Sequence, residues 1–329
     1  MTSMTNLSQV NGMRILVLDG YTLNPGDNPW DPVAALGDLE IHDHTPPEQI
    51  VERARGAQII LTNKAPLSAE TIAQLDALRL ICVTATGYNV VDGAAARRRG
   101  IPVCNVPVYG TDSVAQFVLA LILNHCHQIA RHDAAVHAGE WSRSPHFCFW
   151  LTPQLELAGK TIGIVGFGRI GRRVGELAHA FGLRVLACSP SPGPEVAYPV
   201  RRVALAELFS QADFVTLHCP QTPATTGMVD RALLARMKPG AYLVNTARGG
   251  LINEADLAAA LAAGRLAGAA LDVVSTEPIA PDNPLLRAPN LVITPHMAWA
   301  SLEARRRLMR TTAENIAAFL RGAPINVVN

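Results

Sequence analysis

The sequence predicts an α/β protein made of two doubly wound, parallel-sheet domains. Short apolar runs alternate with helical stretches in the first hundred residues, and a second such series begins near residue 160. The second series opens on the glycine run Gly166-Phe167-Gly168-Arg169-Ile170-Gly171. Strand–helix alternation of this kind builds parallel sheets covered on both faces. At 329 residues the chain is also too long for one small core, which favours two domains.

In the first series, residues 14–18, 58–62 and 80–83 read as strands. Residues 47–55 read as a helix with Pro46 and Pro47 at its start, and 92–99 as another, stopped at Gly100. A long helix follows from about Asp112, its apolar face carrying Val114, Phe117, Val118, Leu121 and Ile122. The aromatic, proline-containing stretch 141–153 reads as a packed loop. Strands are then expected at 161–165, 184–187, 214–217, 242–245, 268–271 and 291–294, with helices at 170–181 and 254–263 among them. A last helix spans 301–320 and is closed by Gly322.

Composition narrows the class. With 49% hydrophobic and 17% charged residues the chain has ample interior material. A net charge of +1 gives no reason to expect nucleic acid or an anionic membrane as partner. Residues 1–12 are polar and lack the apolar stretch of a signal peptide, and no run approaches the length of a membrane span. A cytoplasmic protein is expected. Six cysteines stand at 82, 104, 126, 148, 188 and 219 without a Cys-x-x-Cys pair, which suits reduced thiols. His125-Cys126-His127 is no metal site if helical, because residues i and i+2 point apart. The arginine runs 97–99 and 305–307 read as solvated helix faces, and Asp92 and Asp112 as helix-start residues.

The glycine run has the context that a dinucleotide site needs, a strand before it and a helix after it. Gly166 permits the tight turn, Gly168 lets the backbone approach a pyrophosphate, and Gly171 lets helix and strand pack closely. The helix N-terminus offers free N–H groups to the phosphates, with Arg169 and Ile170 at the loop tip. About 20 residues on, an acid normally binds the adenosine ribose diol. Here the second strand runs into Cys188-Ser189-Pro190-Ser191. An acid would repel a 2′-phosphate and Ser189 would not, so NADP(H) is permitted alongside NAD(H).

Downstream, Arg248, Glu277 and His296 each follow an expected strand, where ligand crevices form in open parallel sheets. A guanidinium can fork onto a carboxylate and polarise a neighbouring carbonyl. A carboxylate against one imidazole nitrogen stabilises the protonated ring and leaves the other nitrogen to donate. Singly, each has a bland reading as surface residue, turn cap or structural histidine. In this order after a glycine loop they suit reduction of a 2-keto acid by a bound nicotinamide.

With these residues in place, the chain resembles the D-specific 2-hydroxyacid dehydrogenases over essentially its whole length. The matching segments are the glycine loop, Leu217-His-Cys-Pro220, Val244-Asn-Thr-Ala-Arg-Gly-Gly-Leu-Ile-Asn253, Leu271-Asp-Val-Val-Ser-Thr-Glu-Pro278 and Thr294-Pro-His296. The resemblance implies a Rossmann cofactor domain, residues 107–295, inserted into a flavodoxin-like substrate domain formed by 1–106 and 296–329. It also implies roles: His296 protonates the keto oxygen, Glu277 tunes it, and Arg248 binds substrate. Thr86 and Gly87 hold the substrate carboxylate through backbone N–H groups. Asp272 holds the nicotinamide carboxamide, and His218, Pro220 and Thr246 line the cofactor site.

A homodimer built through the cofactor domain, with the helix near 112–130 contributing, is part of the same implication. Within the family the chain looks most like the glycerate dehydrogenase (hydroxypyruvate reductase) branch. The supporting stretches are Leu18-Asp-Gly-Tyr-Thr-Leu-Asn-Pro-Gly26, Ala85-Thr-Gly-Tyr-Asn-Val-Val91, Trp141-Ser-Arg-Ser-Pro145 and His296-Met-Ala-Trp-Ala-Ser301, whose Trp299 is a candidate pocket residue. The formate branch carries Gln where Glu277 stands. The expected reaction reduces hydroxypyruvate or glyoxylate to D-glycerate or glycolate. The alternatives are a nucleotide-sensing binding protein on the same fold, or a dehydrogenase for a bulkier or phosphorylated 2-hydroxy acid.

Overall fold

The computed structural model describes residues 12–191 and 193–329; the leader reading of the N-terminus falls on residues outside them. The chain forms two compact units, one running up to Gly110 and resuming at Ala300–Asn329, the other Thr111–Trp299.

The first unit is a five-stranded sheet of β1 (Arg14–Val17), β2 (Asp38–Ile41), β3 (Ile59–Thr62), β4 (Leu80–Val83) and β5 (Val103–Cys104). The order is β2-β1-β3-β4-β5 with every pairing parallel, the flavodoxin-like arrangement. β3 and β4 are buried along their whole length, as strands covered on both faces must be. The edge strand β2, Asp-Leu-Glu-Ile, has no apolar run, and β5 is two residues long, so neither announces itself in the sequence. The expected helix at 47–55 is a 3-10 turn, Pro47–Gln49, followed by Ile50–Ala54. Asp92 caps the helix Gly93–Arg98 by accepting from the Ala95 N–H at 2.8 Å.

The helix Leu302–Leu320 completes this unit, and Asn105 N–H donates to Asn326 O while Val103 N–H donates to Asn329 Oδ1. The expectation that 305–307 is a solvated face is corrected here. Arg305 is only 7% exposed. Its Nη1 and Nη2 donate to the two Asp27 carboxylate oxygens at 2.5 and 2.7 Å, and its Nε donates to Ala300 O. The arginine thus ties the loop after β1 to the C-terminal helix.

The second unit is a seven-stranded sheet. Its strands are β6 (Thr161–Val165), β7 (Arg184–Cys188), β8 (Val200–Arg202), β9 (Phe214–Leu217), β10 (Tyr242–Asn245), β11 (Gly268–Leu271) and β12 (Leu291–Ile293). All pairings are parallel in the order β12-β11-β10-β9-β6-β7-β8, a Rossmann sheet. Chain direction around the sheet reverses between β6 and β9, which opens a crevice at their carboxyl ends. The helix Arg169–Ala180 follows β6 and packs on Thr111–His127, which stops where Gln128 turns left-handed.

Two expectations change here. The stretch 141–153 is not a packed loop: Trp141, Phe147 and Trp150 are 51, 90 and 66% exposed. After the short helix Glu140–Arg143 it has no regular structure, and of its aromatic residues only Phe149 is half-buried. The second unit runs Thr111–Trp299, so it begins and ends about four residues later than the expected borders at 106/107 and 295/296. Ser113 Oγ donates to Ala298 O at 2.7 Å, and Met297 and Ala298 donate N–H groups to Asp272, so the residues after His296 belong to it. All six cysteines are free, and among the described residues no single helix is long and apolar enough to cross a membrane.

The Arg305 guanidinium holds the Asp27 carboxyl below the ordinary carboxylate range. The pair's stabilisation is therefore complete above about pH 3.9 and is lost as pH falls through the lower folded-state value. Asp27→Asn should melt below wild type at pH 7, with the gap closing under acid. A gap of equal size at pH 7 and pH 3 in thermal melts would show that the charge contributes nothing.

Candidate active site

The glycine loop meets its neighbours as close backbone approach demands. Gly166 has φ +91°, and a Cβ there would lie 2.4 Å from the Cys219 nitrogen. Its own N–H donates to Cys188 O, which fastens the turn to the end of β7. A Cβ on Gly171 would lie 2.2 Å from Gly166 O. Gly168 differs: a Cβ there would meet nothing within 4 Å. It is the N-cap of Arg169–Ala180, with no side chain capping the first turn. An exposed glycine at an uncapped helix N-terminus suits an incoming pyrophosphate.

Two further residues fit a cofactor. Thr246 has a buried hydroxyl with no hydrogen-bond partner among the described residues, an uncommon state for such a group. Desolvation pushes the His218 pKa down to about 3, so its imidazole is neutral at physiological pH, with Nε2 2.9 Å from Thr216 Oγ1. Pro220 is exposed beside it, its carbonyl accepting from Thr225 Oγ1. Ser189 follows β7 directly and is half-buried.

At the ends of β10, β11 and β12 the structure joins two of the three expected side chains. His296 Nδ1 lies 2.7 Å from Glu277 Oε2. The other carboxylate oxygen, Oε1, accepts the Val274 N–H at 3.3 Å, and Glu254 in turn accepts the Ser275 N–H. His296 sits at φ +54°, a left-handed conformation that costs a non-glycine residue roughly 1–3 kcal/mol.

Asp272 holds it there. Its carbonyl accepts the His296 N–H at 2.8 Å. Its buried carboxylate takes Thr294 Oγ1 at 2.6 Å and the N–H groups of Met297 and Ala298 at 2.9 Å. A carboxylate has about four acceptor positions, so roughly one is left for an outside donor such as a carboxamide.

Arg248 occupies the adjoining loop. Gly249 brings the loops together, since a Cβ there would lie 1.9 Å from the Val274 carbonyl carbon. The buried Asn245 holds the turn by accepting Ala247 N–H and donating to Arg248 O. The Arg248 side chain is exposed, and its Nη1 donates to Ala247 O rather than to Glu277 or His296. Trp299 is half-buried in the same unit.

Thr86 and Gly87 lie in the first unit, exposed after β4. Thr86 Oγ1 donates to Val106 O, and Asn105 Nδ2 donates to Thr86 O. Asn315 of the C-terminal helix supports Asn105 through its carbonyl. Sequence reasoning missed Asn105, Asn245 and Asn315. An asparagine at a strand end was the available signal for the first two.

A glycine loop at the switch point and a carboxylate-held imidazole further along the same strand edge define a dinucleotide-dependent α/β enzyme. The NAD-binding domain model of the D-isomer specific 2-hydroxyacid dehydrogenases matches residues 119–298. A hydroxypyruvate reductase of Blautia hydrogenotrophica is 48% identical over 321 residues, covering 96% of this chain and 100% of the relative. A glycerate dehydrogenase of Methylorubrum extorquens is 43% identical, covering 86% and 88%. Among solved structures, an NADPH-dependent glyoxylate/hydroxypyruvate reductase from Sinorhizobium meliloti, in complex with NADP and malonate, aligns with TM-score 0.80. It is 27% identical, with 96% of each chain covered.

The chain belongs to the D-isomer specific 2-hydroxyacid dehydrogenase family. It is an NAD(P)-dependent oxidoreductase of that family.

The two kinds of glycine make opposite predictions. Gly168→Ala should fold with a near-native melting temperature but bind dinucleotide about tenfold more weakly, a loss of roughly 1.4 kcal/mol. Gly171→Ala forces the helix off the loop and should destabilise the fold by about 1–3 kcal/mol or more. Calorimetric titration and thermal melts on both variants check the pair; a destabilised Gly168→Ala would contradict the open space seen at that residue.

Proposed function

We propose that the protein reduces hydroxypyruvate or glyoxylate to D-glycerate or glycolate. The observation that carries this reading is the His296–Glu277 contact at 2.7 Å on a backbone that Asp272 forces into the left-handed region. With Nδ1 turned to Glu277, Nε2 is the nitrogen left to give its proton to the keto oxygen during reduction. Arg248 binds the substrate carboxylate and polarises the neighbouring carbonyl, its side chain leaving Ala247 O to do so. When bound, NAD(P)H would supply the hydride. Gly168, Ile170, Thr246 and the remaining acceptor position of Asp272 hold and orient that cofactor.

Trp299, half-buried in the second unit, is a candidate substrate-binding residue in this reading. The assembly is a cytoplasmic homodimer without nucleic-acid or membrane partners. Supporting observations are the net charge of +1, six free thiols, and the exposed Trp141, Phe147 and Trp150, an apolar face suited to a second copy.

Purified protein should oxidise NADH or NADPH in the presence of hydroxypyruvate, read as loss of reduced-nicotinamide absorbance. No turnover with any small 2-keto acid would sink the enzymatic reading in favour of nucleotide sensing. His296→Asn should lower kcat by about 10²–10⁴ while leaving dinucleotide affinity near native. Equal loss of both would mean the histidine shapes the site without acting in it.

A further inference from the structure

We propose that Arg202, with Ser189 and Ser191, forms a subsite for the 2′-phosphate of NADP(H), and that this chain prefers NADP(H) to NAD(H). The inference rests on reading the glycine loop as a dinucleotide site, and it names which dinucleotide.

The placement follows from strand register. Val165 pairs with Cys188, so the residue after β7 lies beside the glycine turn, where a doubly wound sheet receives the adenosine ribose. That residue is Ser189, which cannot repel a phosphate as a carboxylate would. On the other side of β7, Ala187 pairs with Arg202, the last residue of β8. Arg202 therefore starts from the same edge of the sheet.

Its side chain reaches back across β7. The guanidinium carbon lies 5.2 Å from the centroid of the Phe167 ring, between the first two glycines of the loop. Nη1 donates to Ser191 O at 3.4 Å, which places the guanidinium against the segment after β7. The cation is thus positioned between the glycine loop and the segment after β7, over the Phe167 ring and bonded to Ser191 O.

Neighbouring charges agree. Arg172 Nη1 would lie 3.5 Å from a Cβ on Gly193, which puts a second guanidinium beside this segment. Residues 189–202 contain one carboxylate, Glu195. Arg201 points to the opposite face of β8, as alternation on a strand requires, and is engaged by Glu207 and Gln211. Of the two adjacent arginines, Arg202 is the one directed at the cofactor crevice. A phosphate dianion there would meet one guanidinium from β8, a second from the helix after the glycine loop, and two serine hydroxyls.

Calorimetric titration with NADPH, NADH and the fragment pair 2′,5′-ADP and 5′-ADP tests this. Wild type should bind NADPH and 2′,5′-ADP about tenfold or more tightly than their counterparts lacking the 2′-phosphate. Arg202→Gln should lose about 10- to 100-fold in NADPH affinity, the scale of charge-assisted hydrogen bonds, with NADH changed less than about twofold. Arg202→Lys keeps the charge and should retain part of the discrimination, which guards against a folding artefact. Ser189→Asp should reverse the preference.

Equal affinities of wild type for the two dinucleotides would overturn the subsite, as would equal losses for both in Arg202→Gln. Failure of wild type to bind any of the four ligands would instead overturn the dinucleotide reading itself.

Discussion

The second unit's chemistry depends on how Asp272 is buried. A carboxylate removed from water costs several kcal/mol unless donors satisfy it. Here every donor comes from one short segment, Thr294 to Ala298, and all three reach Asp272 only if that segment folds back over the end of β11. The fold-back drives His296 to φ +54° and turns its ring to Glu277. A conformation that would be unfavourable alone becomes the way to satisfy a buried charge. Packing energy is thereby converted into aim, the form in which strain is commonly held at functional sites.

Close backbone approach is the second means of positioning. At Gly166 and Gly249 the nearest neighbours of a hypothetical side chain are main-chain atoms, of the Cys219 segment and of the Val274 segment. Loops that touch backbone to backbone leave little room for relative motion. Arg248 is carried by such a loop, so its Cα is fixed while its side chain stays exposed and free to change partners. A fixed main chain with an exposed guanidinium suits the substrate-binding role proposed for Arg248.

Much of this was legible in the sequence. Buried strands such as Leu80–Val83 and Thr161–Val165 are uninterrupted apolar runs and stand out, as does the glycine loop between strand and helix. The edge strands β2, β5 and β8 were invisible because an edge needs neither length nor an apolar run. Arg305 was misread because charge type says nothing about burial: an arginine within an arginine run looks solvated until Asp27, far away in sequence, is placed against it. The support of Thr86 through Asn105 and Asn315 was hidden for the same reason, being a contact between distant segments. Aromatic richness in 141–153 suggested burial, and the structure instead leaves these rings on the surface.

The way one unit interrupts the other has a consequence for synthesis on the ribosome. Thr111–Trp299 is continuous, so all its strands have been synthesised before residues 300–329 are made. The first unit cannot be completed in that interval. Its edge strand β5 waits for Asn326, Val327 and Asn329, and the loop after β1 waits for Arg305. Folding usually proceeds from the N-terminus as chains are synthesised. Here the middle of the chain has all its residues before the first unit does, and until residues 300–329 are made the sheet of β1–β5 lacks the contacts that Arg305, Asn326, Val327 and Asn329 supply.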